Sequence, residues 1–265
     1  MKICVLVKEV PDAAVEKRID PATKRMDRSG EKNLNPFDTH ALEEAMQIKE
    51  EKRGPAQIDE VVAVTMGPES AQRALHKAVS LGADRSLHLT DEALAGSDVC
   101  ATGYALAMAL KKENPDLVLL GQQSDDGECY TIGAVVADHL QMPSLTQVIK
   151  IDVADGKLRC ERQAEYGYDT VEVELPAVIS VGDAINEPRY PSLKAIMGAK
   201  KKPLDTAATG DVGIDASKVG EQGSRTEVIA LNPPPEKQAG TIIEDEDTNE
   251  TVEKIVAWLE ERKLV

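Results

Sequence analysis

Aromatic side chains are scarce in this chain of 265 residues: one Phe, one Trp and five Tyr, 3% of the total. So few rings argue against the base-stacking platforms that bind single-stranded nucleic acid. Positive charge is in deficit as well. Lys and Arg number 31 against 47 Asp and Glu, a net charge of −16. That balance disfavours non-specific nucleic-acid binding and attachment to anionic membranes. Cysteine occurs only at positions 4, 100, 129 and 160, with no C-x-x-C pair. A zinc ribbon or redox dithiol is therefore unsupported, and a disulfide framework is not expected. No window approaches the ~20 apolar residues of a membrane helix, and the run Met1 to Val7 lacks the length of a signal-peptide core. A soluble protein of the cytoplasm or of an organelle matrix is expected.

What is present is ordinary globular material: 42% hydrophobic and 29% charged residues, enough for a real core. The first ~140 residues alternate short apolar runs with helical patterns, which argues for βα units around a mostly parallel sheet. Strands are expected at Ile3 to Val7, Val61 to Met66, Ser86 to Leu89 and Leu117 to Leu120. Helices are expected from Asp38 as N-cap, after Gly67-Pro68, from Asp98 to about Lys112, and from Thr131 to Leu140. The polar stretch 12–34 has little periodicity and reads as an excursion or lid. After Pro143, four further strands (Thr146 to Val153, Leu158 to Gln163, Thr170 to Glu174, Ala177 to Val181) suggest antiparallel additions at one edge. The Asp-Gly of Ala154-Asp155-Gly156-Lys157 is hairpin chemistry. Two prolines keep 186–191 out of regular helix. Residues 204–265, with Pro233-Pro234-Pro235, read as an extended arm too long for an ordinary loop. The arm ends in a helix striped by Val252, Ile255, Val256 and Leu259, with Glu244 to Asp247 early and Arg262-Lys263 late, as the helix dipole favours. Such an arm packs either on its own domain or on another surface. The expected division is an α/β domain over 1–185, a Pro-interrupted segment over 186–203 and the arm over 204–265.

Chemistry concentrates where strands end. The loop Gly121-Gln122-Gln123-Ser124-Asp125-Asp126-Gly127-Glu128-Cys129-Tyr130-Thr131-Ile132 follows the last parallel strand, where ligands of open sheets bind. It offers backbone N–H groups to an anion at a helix start, and hydroxyl and amide groups to a sugar or base. Its three acids are more commonly solvated or capping than metal-binding, so no metal is expected. Asn35-Pro36-Phe37-Asp38 reads as a capped helix start or a second binding corner, and Thr65-Met66-Gly67-Pro68 as a third. Convergence of the three would make a nucleotide site. Neither G-x-G-x-x-G nor G-x-x-x-x-G-K-[ST] occurs, which disfavours a Rossmann NAD site and a P-loop ATPase. His40, His76, His88 and His139 lie outside the strand-end loops, so acid–base catalysis is unsupported. Arg189, Tyr190, Leu193, Ile196 and Met197 before Lys200-Lys201-Lys202 fit an interface hot spot or a helix packed on its own domain.

Several stretches together resemble one family. These are Val7-Lys8-Glu9-Val10-Pro11-Asp12, Asn35-Pro36-Phe37-Asp38 with Ala41-Leu42-Glu43-Glu44-Ala45, Met66-Gly67-Pro68, Leu81-Gly82-Ala83-Asp84-Arg85, Leu119 to Gln123, Leu175 to Val178, and above all Ile185 to Met197. Over essentially its whole length the chain resembles the β subunit of electron-transfer flavoproteins. The resemblance implies an α/β fold related to adenine-nucleotide-binding folds, and an obligate heterodimer with an α subunit that holds most of a redox-active FAD. It implies electron transfer from flavin dehydrogenases to a downstream redox acceptor, rather than bond-making catalysis. It also implies structural AMP, held here by Leu6, Asn35, Pro36, Phe37, Asp38, Met66 and Gly121 to Ile132. Phe37 matches an aromatic near the flavin, whereas a second family aromatic falls at about Ala13. Partner dehydrogenases would dock on Glu187, Pro188, Arg189, Tyr190, Leu193, Ile196 and Met197, and the terminal arm would pack on the α subunit. An electron-bifurcating branch carries a second FAD in place of AMP. Asp98 with Thr102 and Asp126-Gly127 look somewhat like it, but Glu128-Cys129-Tyr130 does not. A free-standing nucleotide sensor would not need the arm, and an adenylyl-transferring enzyme would need the missing phosphate motif and base.

Overall fold

In the computed structural model, residues 1–50, 57–154, 156–232, 235, 240, 242 and 247–265 are described. The chain opens with strand β1 (Lys2–Leu6), β2 (Glu9–Pro11), β3 (Ile19–Asp20), β4 (Arg25–Met26) and β5 (Lys32–Leu34), then helix α1 (Pro36–Glu50). There follow β6 (Glu60–Met66), α2 (Gln72–Leu81), β7 (Arg85–Leu89), α3 (Val99–Glu113), β8 (Leu117–Gly121) and α4 (Ile132–Leu140). β9 (Ser144–Ala154), β10 (Lys157–Ala164), β11 (Gly167–Glu174), β12 (Ala177–Val181), α5 (Leu193–Ala199), β13 (Leu204–Ala207), α6 (Gly220–Gly223) and α7 (Thr248–Glu261) complete the order.

Nine strands form one sheet in the order β11-β10-β9-β12-β8-β1-β6-β7-β13. All neighbours from β9 to β13 run parallel; β10 is antiparallel to β9 and β11. The parallel strands are buried on both faces, and alternate residues feed two cores. Ile3 and Val5 of β1 and Leu117 and Leu119 of β8 meet Leu42, Ala45 and Ile48 of α1 and Leu75 and Ala78 of α2. Cys4, Leu6, Val118 and Leu120 face the other way, towards Ala105, Leu106 and Leu110 of α3 and Val136 and Ala137 of α4. The result is a three-layer α/β/α arrangement, as expected. The chain leaves β1 towards β6 and β7, then returns to place β8 on the other side of β1. The strand order therefore reverses between β1 and β8.

The element ends follow local chemistry. Asp98 caps α3 by accepting from the Ala101 N–H at 2.9 Å. Gly82 ends α2 at φ 139°, which a residue with a Cβ resists. Four expectations need revision. Ala177 to Val181 is not part of the antiparallel edge: β12 lies inside the parallel sheet between β8 and β9, and all five of its residues are buried. Asp38 is not the N-cap, because α1 begins at Pro36, whose fixed φ suits a first helical position. The stretch 12–34 is not wholly irregular, since β3 pairs with β4 and β5 returns to β2. The segment read as the start of the arm supplies β13, a ninth strand beside β7. Its four residues, Leu-Asp-Thr-Ala, are too few and too polar to show a period, so backbone pairing decides it.

One compact unit spans Met1–Ile229, past the division expected at 203/204. The second unit, Ala230–Val265, carries α7, which starts at the Asp247 cap and exposes Val252, Ile255, Val256 and Trp258. Asp155, Pro233-Pro234 and Glu244 to Glu246, named in the sequence reading, lie outside the described residues. Among the described residues, no helix is long and apolar enough to cross a membrane.

Candidate functional site

The carboxyl ends of β1, β6 and β8 open onto a cleft of about 470 Å³, centred on the β1/β8 reversal. Open α/β sheets bind ligands at this position, because diverging loops leave a crevice there. Leu6, Met66, Leu120 and Gly121 line it from the strand ends, and Asn35 and Asp38 from the start of α1. The loop after β8 supplies Gln122, Gln123, Ser124, Gly127, Cys129 and Tyr130, and α4 supplies Ile132 and Gly133. The three corners anticipated from sequence thus meet in one place.

Several anticipated residues shape the cleft without lining it. Pro36 and Phe37 begin α1, and a Cβ on Gly121 would stand 2.6 Å from Phe37 backbone carbon, so only glycine fits that strand end. Asp125, Asp126, Glu128 and Thr131 lie behind or beside the wall. The three acids do not converge. Asp125 pairs with Lys17 (3.3 Å), Asp126 is buried between Lys8 and Arg28, and Glu128 is exposed.

Two buried polar residues organise the loops. Asn35 donates from Nδ2 to the Gln123 carbonyl (2.8 Å) and accepts the Asp125 N–H on Oδ1 (3.0 Å). The Asp38 carboxylate accepts the N–H groups of Lys8 (2.8 Å) and Gly121 (3.3 Å), tying the ends of β1 and β8 to α1. Burial pushes the Asp38 carboxyl up to about 7, against the opposing pull of these hydrogen bonds and of Asn35. Asp126 goes the other way. Lys8 and Arg28 outweigh its desolvation and draw it down to about 2.

Three features suit the cleft to a phosphorylated, amide-recognised ligand. Thr131 offers no side-chain cap to α4, so that helix start presents its N–H groups uncapped by a side chain. Asp98 by contrast closes the N-terminus of α3. Gln123 Oε1 is buried with no hydrogen-bond partner among the described residues, an acceptor awaiting a donor. Glu128 and Tyr130 hold left-handed backbone (φ 45° and 56°), a local cost that clusters at binding loops.

Lys8, Arg25 and Arg28 also line the cleft, and the sequence reading did not single them out as contacts. Lys8 could have been found as the residue just beyond a strand end. Arg25 and Arg28 sit in the aperiodic stretch before β5 and carry no local signal. Ser97, Asp98, Val99 and Thr102 form a further wall at the start of α3, so Asp98 and Thr102 do face the same cleft.

The segment 186–197 lies apart from the cleft lining. Arg189 forms ion pairs with Glu43 (2.7 Å) and Glu50 (2.8 Å) of α1. Asn186 donates to the His40 carbonyl (3.1 Å) and to Glu44 (3.1 Å). Arg189 is therefore an anchor of this segment. Glu187 and Pro188 lie between those two tethers. Beyond them, Tyr190 (97%), Leu193 (81%) and Met197 (74%) are exposed, with Ile196 beside them. Helix α5 buries only Ala199.

Comparison with known proteins agrees with this architecture. A family model described as the electron transfer flavoprotein domain matches residues 23–212. An electron transfer flavoprotein subunit beta of Mycobacterium tuberculosis is 39% identical over 265 residues, 99% of each chain. One from Thermoanaerobacterium thermosaccharolyticum is 39% identical over 267 residues, 100% of each chain. The caffeyl-CoA reductase-Etf complex subunit CarD of Acetobacterium woodii is 38% identical over 267 residues, again 100% of each. Matches of this identity along the whole length leave one conclusion: the chain belongs to the electron transfer flavoprotein family, among its β subunits.

Proposed function

We propose that this chain works as one half of a heterodimeric electron carrier, with an α subunit holding most of a FAD and this subunit holding AMP in the β1/β8 cleft. The observation that carries the nucleotide reading is the cleft at the strand-order reversal, lined by the loop after β8 and by Ile132 and Gly133 at the start of α4, a helix start without a side-chain cap. Gln123, Asn35 and the backbone of 121–133 suit an adenylate, with phosphate towards the start of α4. AMP supplies no redox chemistry; it would stabilise the fold by binding only the folded state. The FAD, when bound, supplies the electron-accepting and electron-donating ring. This chain's share is to present Phe37 near that ring and to position the partners.

Electron donors, read as flavin-containing dehydrogenases, would dock on Tyr190, Leu193, Ile196 and Met197, with Arg189 holding the segment to α1. The apolar stripe of α7 would cover part of the α subunit. A downstream acceptor would take the electrons in turn. Asp98 and Thr102 in the cleft wall, and the Acetobacterium relative named for a reductase–Etf complex, favour a second reading: a second FAD in place of AMP, in a bifurcating protein. Both readings share the adenylate end, and Glu128-Cys129-Tyr130 favours AMP.

The test is to co-express the chain with its α subunit, denature the purified complex and count released nucleotides by mass spectrometry. One FAD and one AMP per dimer are expected. Two FAD and no AMP would replace the first reading with the second, and no adenine nucleotide beyond the α subunit's FAD would remove both.

A further inference from the structure

In a chain of net charge −16, three cations line one cleft: Lys8, Arg25 and Arg28. The acids that line it are already engaged. Asp38 accepts two backbone N–H groups. Asp98 accepts the Ala101 N–H on one oxygen, and on the other the N–H groups of Arg225 (2.7 Å) and Thr226 (3.0 Å) and the Thr226 hydroxyl (3.0 Å).

Behind the wall, the Asp126 side chain is 1% exposed and carries two cations at once. Lys8 Nζ lies 2.7 Å from Oδ1; Arg28 Nη2 and Nε lie 2.6 and 3.1 Å from Oδ2. Among these three side chains one carboxylate faces two cations, an excess of one positive charge, with the Asp38 carboxyl also acting on Lys8. Lys8 comes from the end of β1 and is fixed by the sheet. Arg28 comes from the 12–34 strap, which Lys17 fastens to the Asp125 carbonyl at 2.9 Å. On the far side, Arg25 of the same strap stands 3.6 Å from Glu221. The strap thus joins both rims of the cleft, and its arginines face inward.

We propose that Arg28, seated by Asp126 beside Lys8, is the residue that reads the ligand's phosphate charge, and that the strap delivers it over the bound nucleotide. A guanidinium fork can hold one edge against Asp126 and offer its remaining N–H donors to a phosphate oxygen. Lys8 supplies a point charge but no fork. Asp126 is a positioning residue, and the unpaired charge it leaves is what a phosphate neutralises. The proposal rests on the reading of the cleft as an adenine-nucleotide site.

The experiment measures binding of AMP and of adenosine to nucleotide-stripped full-length protein, in its complex with the α subunit, by equilibrium dialysis. Wild type, Arg28→Gln and Arg28→Lys are compared, with thermal unfolding as the folding control. Wild type should prefer AMP over adenosine, and Arg28→Gln should cut that preference by about tenfold or more while adenosine affinity stays put. Arg28→Lys should restore only part of it, because charge returns without the fork. An unchanged AMP-to-adenosine ratio in Arg28→Gln overturns the proposal and leaves the nucleotide site standing. Wild type that binds neither compound overturns both. A second readout needs no ligand. Trypsin can cut the strap after Lys17, Arg18, Lys24, Arg25, Arg28 and Lys32, and Asp126→Asn should make those cuts faster. Equal cutting rates would mean that Asp126 does not seat the strap.

Discussion

Gly121 shows how one residue joins fold to site. It ends β8, and a Cβ there would meet Phe37 backbone carbon and Cβ at 2.6 Å and Asp38 Oδ1 at 2.7 Å. Backbone cannot yield as a flexible side-chain tip does, so Gly121→Ala should cost about 2 kcal/mol. A melting temperature lower by roughly 5 °C is expected, and one unchanged within a degree would show that α1 has room to move. Asp126 gives a pH signature. Its folded carboxyl is drawn down from 3.8 to about 2 by Lys8 and Arg28. The stabilisation is present above about pH 4 and is lost as pH falls through 2. Asp126→Asn should therefore lower stability at pH 7 by about 1–2 kcal/mol, since both cations are partly solvated. It should also flatten the stability profile between pH 4 and 2. A variant with the wild-type acid slope would place the acid-labile charge elsewhere. Asp38 works in the opposite sense: raised towards 7 by burial, it takes stability away as pH climbs from 4 through 7.

Among the elements, α5 and the segment before it are the most unusual. A helix that buries one alanine and exposes Leu193 and Met197 gains little from its own domain. Its position is set by Ala199 packed on the α1/α2 core, by Lys202 on the Ala83 carbonyl, and upstream by the Arg189 pairs with Glu43 and Glu50 and by Asn186 on His40 and Glu44. Rigid anchorage beside exposed apolar side chains is what a docking site requires, because less is lost in ordering on contact. Leu193→Ala should slow reduction by a partner dehydrogenase roughly tenfold, the scale of an interface anchor. Flavin and nucleotide content should stay at wild-type levels. Stopped-flow reduction at the wild-type rate would reassign the patch.

At the scale of the whole molecule, two opposed demands are met by segregating charge. A net charge of −16 keeps the surface acidic, yet Lys8, Arg25 and Arg28 are gathered at one cleft. The sheet makes that possible. Its parallel strands all deliver their carboxyl ends to one rim, and the reversal at β1/β8 opens a gap there. The same continuity extends the compact unit to Ile229, since β13 joins the edge beside β7 and Asp98 grips the backbone of Arg225 and Thr226.

Legibility in the sequence followed the range of the forces involved. The βα alternation, the buried faces of α1 and α2 and the Asp98 cap were readable because hydrophobic period and capping are local. The three strand-end corners were readable because each pairs a strand stop with a polar turn. The parallel placement of β12 was not readable, since a short buried strand has the same composition in either direction. Neither was β13, whose four residues are held by backbone pairing alone. Arg28 was hidden because its meaning depends on Asp126, and Arg25 because its meaning depends on Glu221, each about a hundred residues or more away in sequence and paired in space. Sequence thus determined the layers, the strand-end loops and the family. Tertiary structure alone decided which charges meet, because an ion pair is specified by distance and burial and leaves no period along the chain.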